Sequence, residues 1–223
     1  MTLVQKTWKG FPDLKLSSKV KSIRVNGDYA SVETEDLSTA TTAEKSELTG
    51  DTGILCSKAE SIIYLRRYGK NWKIFSDKVI YERTSLFYGK AKNLNVTIYA
   101  PEQVYAGNEY TVSIVTDVPP ETFVLGSIAN EPIVYPEVKS EEVFRQITPE
   151  SGMLERVIKA NKTNNNELAI ASIGYTELVR DIYQKPQMKL TGIALIMQRV
   201  NVTPKSTFDH SKVKKKDTSL NLE

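Results

Sequence analysis

Between Gly53 and Gly89 the chain carries two long β-rich runs, Ile54 to Tyr68 and Trp72 to Tyr88, on either side of Gly69-Lys70-Asn71. Runs rich in aromatic and β-branched residues, broken by one Gly turn, predict an antiparallel hairpin. In the first run Ile62, Tyr64 and Arg66 fall on one face, and Ile63, Leu65 and Arg67 on the other. In the second, Trp72 and Ile74 face one way while Phe75, Asp77, Val79 and Tyr81 face the other. Apolar groups on both faces predict a sheet covered on each side.

Upstream, Leu14 to Val25 predicts a strand, and Asn26-Gly27 predicts the central pair of a type I′ turn. The return strand, Asp28 to Asp36, sets Ala30, Val32 and Thr34 against Tyr29, Ser31, Glu33 and Glu35, so one face is buried and the other wet. The next stretch, LSTATTAEKSELTGDTG, is small, polar and Gly-punctuated, and predicts a loop. Trp8 and Phe11, ahead of Pro12, suit a helix end.

After Gly89 the texture changes. Six short strand candidates follow (LNVTIYA, EYTVSIVTD, TFVLGSI, MLERVIKAN, LAIASIGYTE and MKLTGIALIMQRVNV), separated by Pro and Asn-rich punctuation. That spacing predicts a β-sandwich. The expected fold is therefore mainly β with an α+β N-terminal part: a curved antiparallel sheet over 1–89, a sandwich over 90–202 and a disordered basic tail over 203–223.

The net charge of +3 narrows the partners, because the tail from Lys205 holds five lysines against Asp209, Asp217 and Glu223, leaving the body almost neutral. Nucleic-acid binding, which needs cations clustered on the fold, is not expected. Cys56 is the sole cysteine and His210, in the tail, the sole histidine. An intrachain disulfide and a cysteine-based metal cage are thereby excluded, histidine-based triads and metal sites are not expected, and neither is any metal or cofactor. Gly107, Gly126 and Gly152 are isolated, so no phosphate-binding loop is present. No run approaches the roughly 20 apolar residues of a membrane helix. MTLVQKTWKG lacks a signal-peptide pattern, which predicts the cytoplasm if Met1 is the true start.

The strand pair VNGDYASVETED followed by YLRRYGKNWKIFSD resembles the sheet of the nuclear transport factor 2-like superfamily over about the first ninety residues. The resemblance implies a cone-shaped α+β domain whose helices close a pocket on the sheet; here the helical part is reduced to residues 1–12. It also implies pairing of copies through the sheet. The second part resembles an immunoglobulin-like sandwich in strand number and spacing, without the cysteine pair or core tryptophan. The combination resembles uncharacterised bacterial envelope proteins, which implies an extracytoplasmic role.

An isomerase-like enzyme would need a carboxylate base in the cone pocket, and Asp77 and Glu60 are the candidates. Tyr64, Trp72, Phe75 and Tyr81 are the candidate lining of an aromatic pocket. Arg66 and Arg67, beside Lys70 and Lys73, are candidates for anion binding, although cations at a hairpin tip also discourage edge pairing. The expectation is a non-enzymatic binding or structural protein, a homo-oligomer through the curved sheet, with a protein or glycan partner on the sandwich. The carboxylate-based enzyme is the alternative.

Overall fold

The computed structural model describes residues 3–134, 141–180 and 183–205; most of the expected tail, including His210, lies outside them. The described chain is mainly β. A short helix, α1 (Leu3–Gly10), precedes four long strands: β1 (Lys15–Asn26), β2 (Tyr29–Lys45), β3 (Thr52–Tyr68) and β4 (Asn71–Gly89). After a 3-10 turn at Lys90–Asn93 come β5 (Val96–Tyr99), β6 (Gln103–Tyr105), β7 (Glu109–Thr116), β8 (Thr122–Pro132) and β9 (Arg145–Ile147). Then follow β10 (Met153–Lys159), β11 (Glu167–Arg180) and β12 (Pro186–Thr203). Strands β5, β7, β8, β10, β11 and β12 coincide with the six expected runs; β6 and β9, three residues each, are too short to leave a periodic signal.

Two sheets form. The larger has the order β1-β2-β3-β4-β12-β11-β8-β9, with β6 beside β12 in parallel, and the smaller is β10-β7-β5. The other pairings are antiparallel. Between the sheets lies the core, built on the alternation of β7 and β12 and on the inward residues of β11: Val112 and Ile114 cluster with Ile173, Tyr175, Ile196 and Val200, all essentially without solvent contact.

The larger sheet runs through the region of residue 89. Strand β12 pairs with β4 from Gly192–Gly89 to Gln198–Arg83, so the hydrogen-bonded ladder is continuous from the long strands into the sandwich. Arg83 fixes this junction by donating to Gln198 Oε1 (2.7 Å) and, across to the small sheet, to the Ile98 carbonyl (2.8 Å). Past Arg83, β1–β4 continue as one layer. The buried core cluster is drawn entirely from residues 91–202, and the buried side chains of the long strands are Ala30, Thr34 and Ala40.

Three local expectations are corrected. Leu37 to Lys45 is strand, paired from Leu37–Lys58 to Thr41–Ile54, and only Ser46 to Asp51 turns; the β-branched threonines favour a ladder over the loop that small polar composition suggests. At the first hairpin Asn26 pairs with Tyr29, so Gly27-Asp28 is the central pair, with positive φ at Gly27 alone. Glycine in the first central position is the II′ pattern rather than I′. The second hairpin repeats it, with Tyr68 paired to Asn71 around Gly69-Lys70. Third, β4 carries two irregularities, opposite Tyr64/Leu65 and opposite Glu60/Ser61, which shift the alternation of its side chains.

Candidate functional site

The candidate site is the single-layer part of the long-strand sheet, where register sorts side chains into two unlike faces. On one, three rungs cross all four strands: Val25–Ala30–Leu65–Ile74, Ile23–Val32–Ile63–Asp77 and Val20–Thr34–Ser61–Val79. This face is aliphatic, and Val20, Ile23, Val25 and Ile74 are between 52 and 66% exposed. With four strands about 4.8 Å apart and about 3.3 Å per residue, the rungs cover roughly 350 Å². Nine of the twelve rung residues are apolar, and a mainly apolar patch marks an interaction surface more often than scattered exposed residues do.

The opposite face is aromatic and cationic at its outer end. Tyr29 pairs with Arg66, and Arg66 with Lys73. The Phe75 ring lies 6.2 Å from both Tyr29, edge-on, and Tyr64. The Arg66 guanidinium stands over Tyr29 (5.6 Å) and Tyr68 (5.3 Å), and the Lys73 ammonium over Tyr68 (5.8 Å). These contacts hold the cations against ring faces, which stiffens the long side chains without neutralising them.

The sequence candidates divide between the faces. Tyr64, Phe75 and Tyr81 lie on the aromatic face, whereas Trp72, opposite Arg67, lies on the aliphatic one. Arg67 stands 5.7 Å from the Trp72 ring and is paired with Asp28 at 2.9 Å. Arg66 and Arg67 therefore point to opposite sides and do not form one anion site. Likewise Asp77 and Glu60 are on opposite faces. Glu60 is paired with Lys21 at 3.1 Å, a contact that raises the lysine's pKa, chiefly through the hydrogen bond. Simple alternation places Asp77 and Val79 with Phe75 and Tyr81; the irregularities of β4 instead part both from the two rings and put them with Ile74. Asp77 also borders a polar groove of about 360 Å³ where β4 diverges from β12, lined by Gln103, Asn166, Arg199 and Asn201.

Lys73, named in the sequence beside Arg66, belongs to the aromatic face; Tyr29 and Tyr68 belong to it too and are missing from the sequence candidates. The signal for them exists: aligning the two Gly-first turns places Tyr29 beside Arg66. Among the described residues no cluster of His, Cys, Asp or Glu is arranged to hold a metal ion. No described helix is long and apolar enough to cross a membrane. Comparison with protein-family models, with curated proteins and with solved structures finds no match for this chain.

Proposed function

We propose that the protein is a non-enzymatic binding or structural module that self-associates through the aliphatic face of its long-strand sheet, with a second copy covering the three rungs. The observation that carries this reading is the exposure of Val20, Ile23, Val25 and Ile74 on a sheet over which no second layer lies among the described residues. Leaving such side chains in water forgoes about 25 cal/mol per Å² of burial. The rungs supply roughly half of the 800 Å² that each partner gives to a stable interface, so they serve as the apolar core of a larger, partly polar contact. In this reading β1–β4 are the curved sheet of a nuclear transport factor 2-like cone and the following strands an immunoglobulin-like sandwich whose loops meet a protein or glycan. Light scattering across a concentration series tests it: a mass rising toward twice that of one chain supports the reading, and a monomer throughout rejects it.

A second reading, an isomerase-like enzyme, draws on Asp77, whose carboxylate closes an otherwise aliphatic rung. A carboxylate base beside an apolar surface suits proton abstraction from an apolar substrate. If any turnover found with small carbonyl substrates survives Asp77→Asn, this reading is rejected.

A further inference from the structure

The two hairpin tips lie side by side at the far end of the long-strand sheet, because Tyr29 next to the first turn pairs with Arg66 next to the second. Backbone pairing to β12 ends at Arg83, but Asn201 still donates to the Ile80 carbonyl and Asp77 still borders the groove with Gln103 and Asn166; from Asp77 to Asn71 the strand carries the tips about 20 Å beyond the sandwich. At this end Tyr29, Tyr68, Trp72, Ile74 and Phe75 are each between 38 and 66% exposed. The same segments, 24–29 and 66–75, hold Arg24, Arg66, Arg67, Lys70 and Lys73 against Asp28 alone. Their net charge of +4 exceeds the +3 of the entire chain, so the near-neutral total conceals a strongly polarised end.

We propose that the paired hairpin tips dock on the surface of an anionic lipid bilayer. Aromatic side chains with one apolar and one polar end settle at the headgroup level, and Lys and Arg beside them gain from the negative surface potential. The tip meets both requirements on both of its sides: Tyr29, Tyr68 and Phe75 project from one face, Trp72 and Ile74 from the other. A wedge apolar on two sides is matched by insertion end-on into an interface, whereas a nucleic acid stacking on aromatics needs them on one side of a groove. The outward projection also lets the tips reach a flat surface without obstruction from the sandwich. Tyr29, Tyr68 and Phe75 lie on the face opposite the aliphatic rungs and stay free when two copies pair, whereas Ile74 belongs to both surfaces, so insertion on both sides of the wedge is a property of the unpaired chain.

The test is binding to phosphatidylcholine vesicles with and without phosphatidylserine, using the chain with Trp8→Phe so that Trp72 alone reports. The expected result is sedimentation with the serine-containing vesicles only, a blue shift of Trp72 emission on binding, and weakening with added salt. Inorganic phosphate at matched ionic strength leaves binding unchanged. Arg66→Gln with Lys73→Gln weakens binding by on the order of 10- to 30-fold. Phe75→Ser weakens it at unchanged charge, and Lys162→Gln, far from the tip, does not. Absence of binding to anionic vesicles, equal binding to neutral ones, or binding without a Trp72 shift overturns the proposal. So does tip-dependent capture of a single-stranded oligonucleotide more tightly than of vesicles.

Discussion

Gly89 of β4 and Gly192 of β12 are direct partners across the ladder that joins the long-strand sheet to the sandwich. Gly89 has φ 55 and ψ −137, and a Cβ there would lie 2.2 Å from the Thr191 carbonyl oxygen. Both the backbone angle and the close approach require glycine. Gly89→Ala is expected to cost on the order of 3 kcal/mol or more, seen as a lower urea midpoint. Gly50→Ala is the control: its φ is also positive, but its Cβ would meet open space, and the expected cost is about 1 kcal/mol.

A second test concerns the buried carboxylate of the sandwich. Glu167, almost wholly buried, accepts hydrogen bonds from the Asn161 amide N–H and side chain (both 2.7 Å) and from the Tyr110 hydroxyl (2.8 Å). All three partners are donors. Glu167→Leu leaves all three without their acceptor and is expected to destabilise by about 2–3 kcal/mol. Tyr110→Phe, which leaves two donors in place, is expected to cost less. The ordering of the two unfolding midpoints checks this.

Alkaline pH acts on the same core. Burial pushes the Tyr175 phenol up to about 12 from its ordinary 10, while its hydroxyl lies 2.5 Å from that of Thr116. Burial, together with Glu167, raises Tyr110 as well. A phenol whose folded value is raised favours the folded chain below its unfolded pKa, and that contribution changes as pH climbs: the unfolded chain ionises first, from about 10, so stability falls between 10 and about 12. Absorbance titration is expected to show these two of the eleven tyrosines ionising last, together with unfolding.

For the aliphatic face, Ile74→Lys is expected to abolish self-association with a change in monomer stability within about 0.5 kcal/mol, because the residue is 66% exposed. Sedimentation velocity and a thermal melt of the same sample separate the two effects.

The mainly β class was legible because its cause is local. The apolar alternation of Glu109 to Thr116 and of Glu167 to Arg180 is the burial pattern of β7 and β11, and the Gly turns at 27 and 69 are where the chain reverses. What escaped lay in the register. Nothing local in Phe75 or Ile80 announces that β4 gains a residue against β3 beside each, yet those irregularities decide which face Asp77, Val79 and Trp72 share with which neighbours. Composition misled at Leu37 to Lys45, where small polar residues accompany strand-forming threonines. Pairing of β4 with β12 links Arg83 to Gln198, 115 positions apart, and no window of sequence contains both.

That last pairing has a consequence for synthesis. Strand β12 follows every other described strand in the chain, yet stands inside the larger sheet between β4 and β11. A ribosome releases the four long strands well before the strand that connects them to the sandwich. Until β12 emerges, the free edge of β4 and that of β11 both await the same partner, and each is open to pairing with a neighbouring nascent chain. The protein's exposure to misassembly is thus concentrated between the emergence of β11 and that of β12, when the two edges that β12 later fills both stand open.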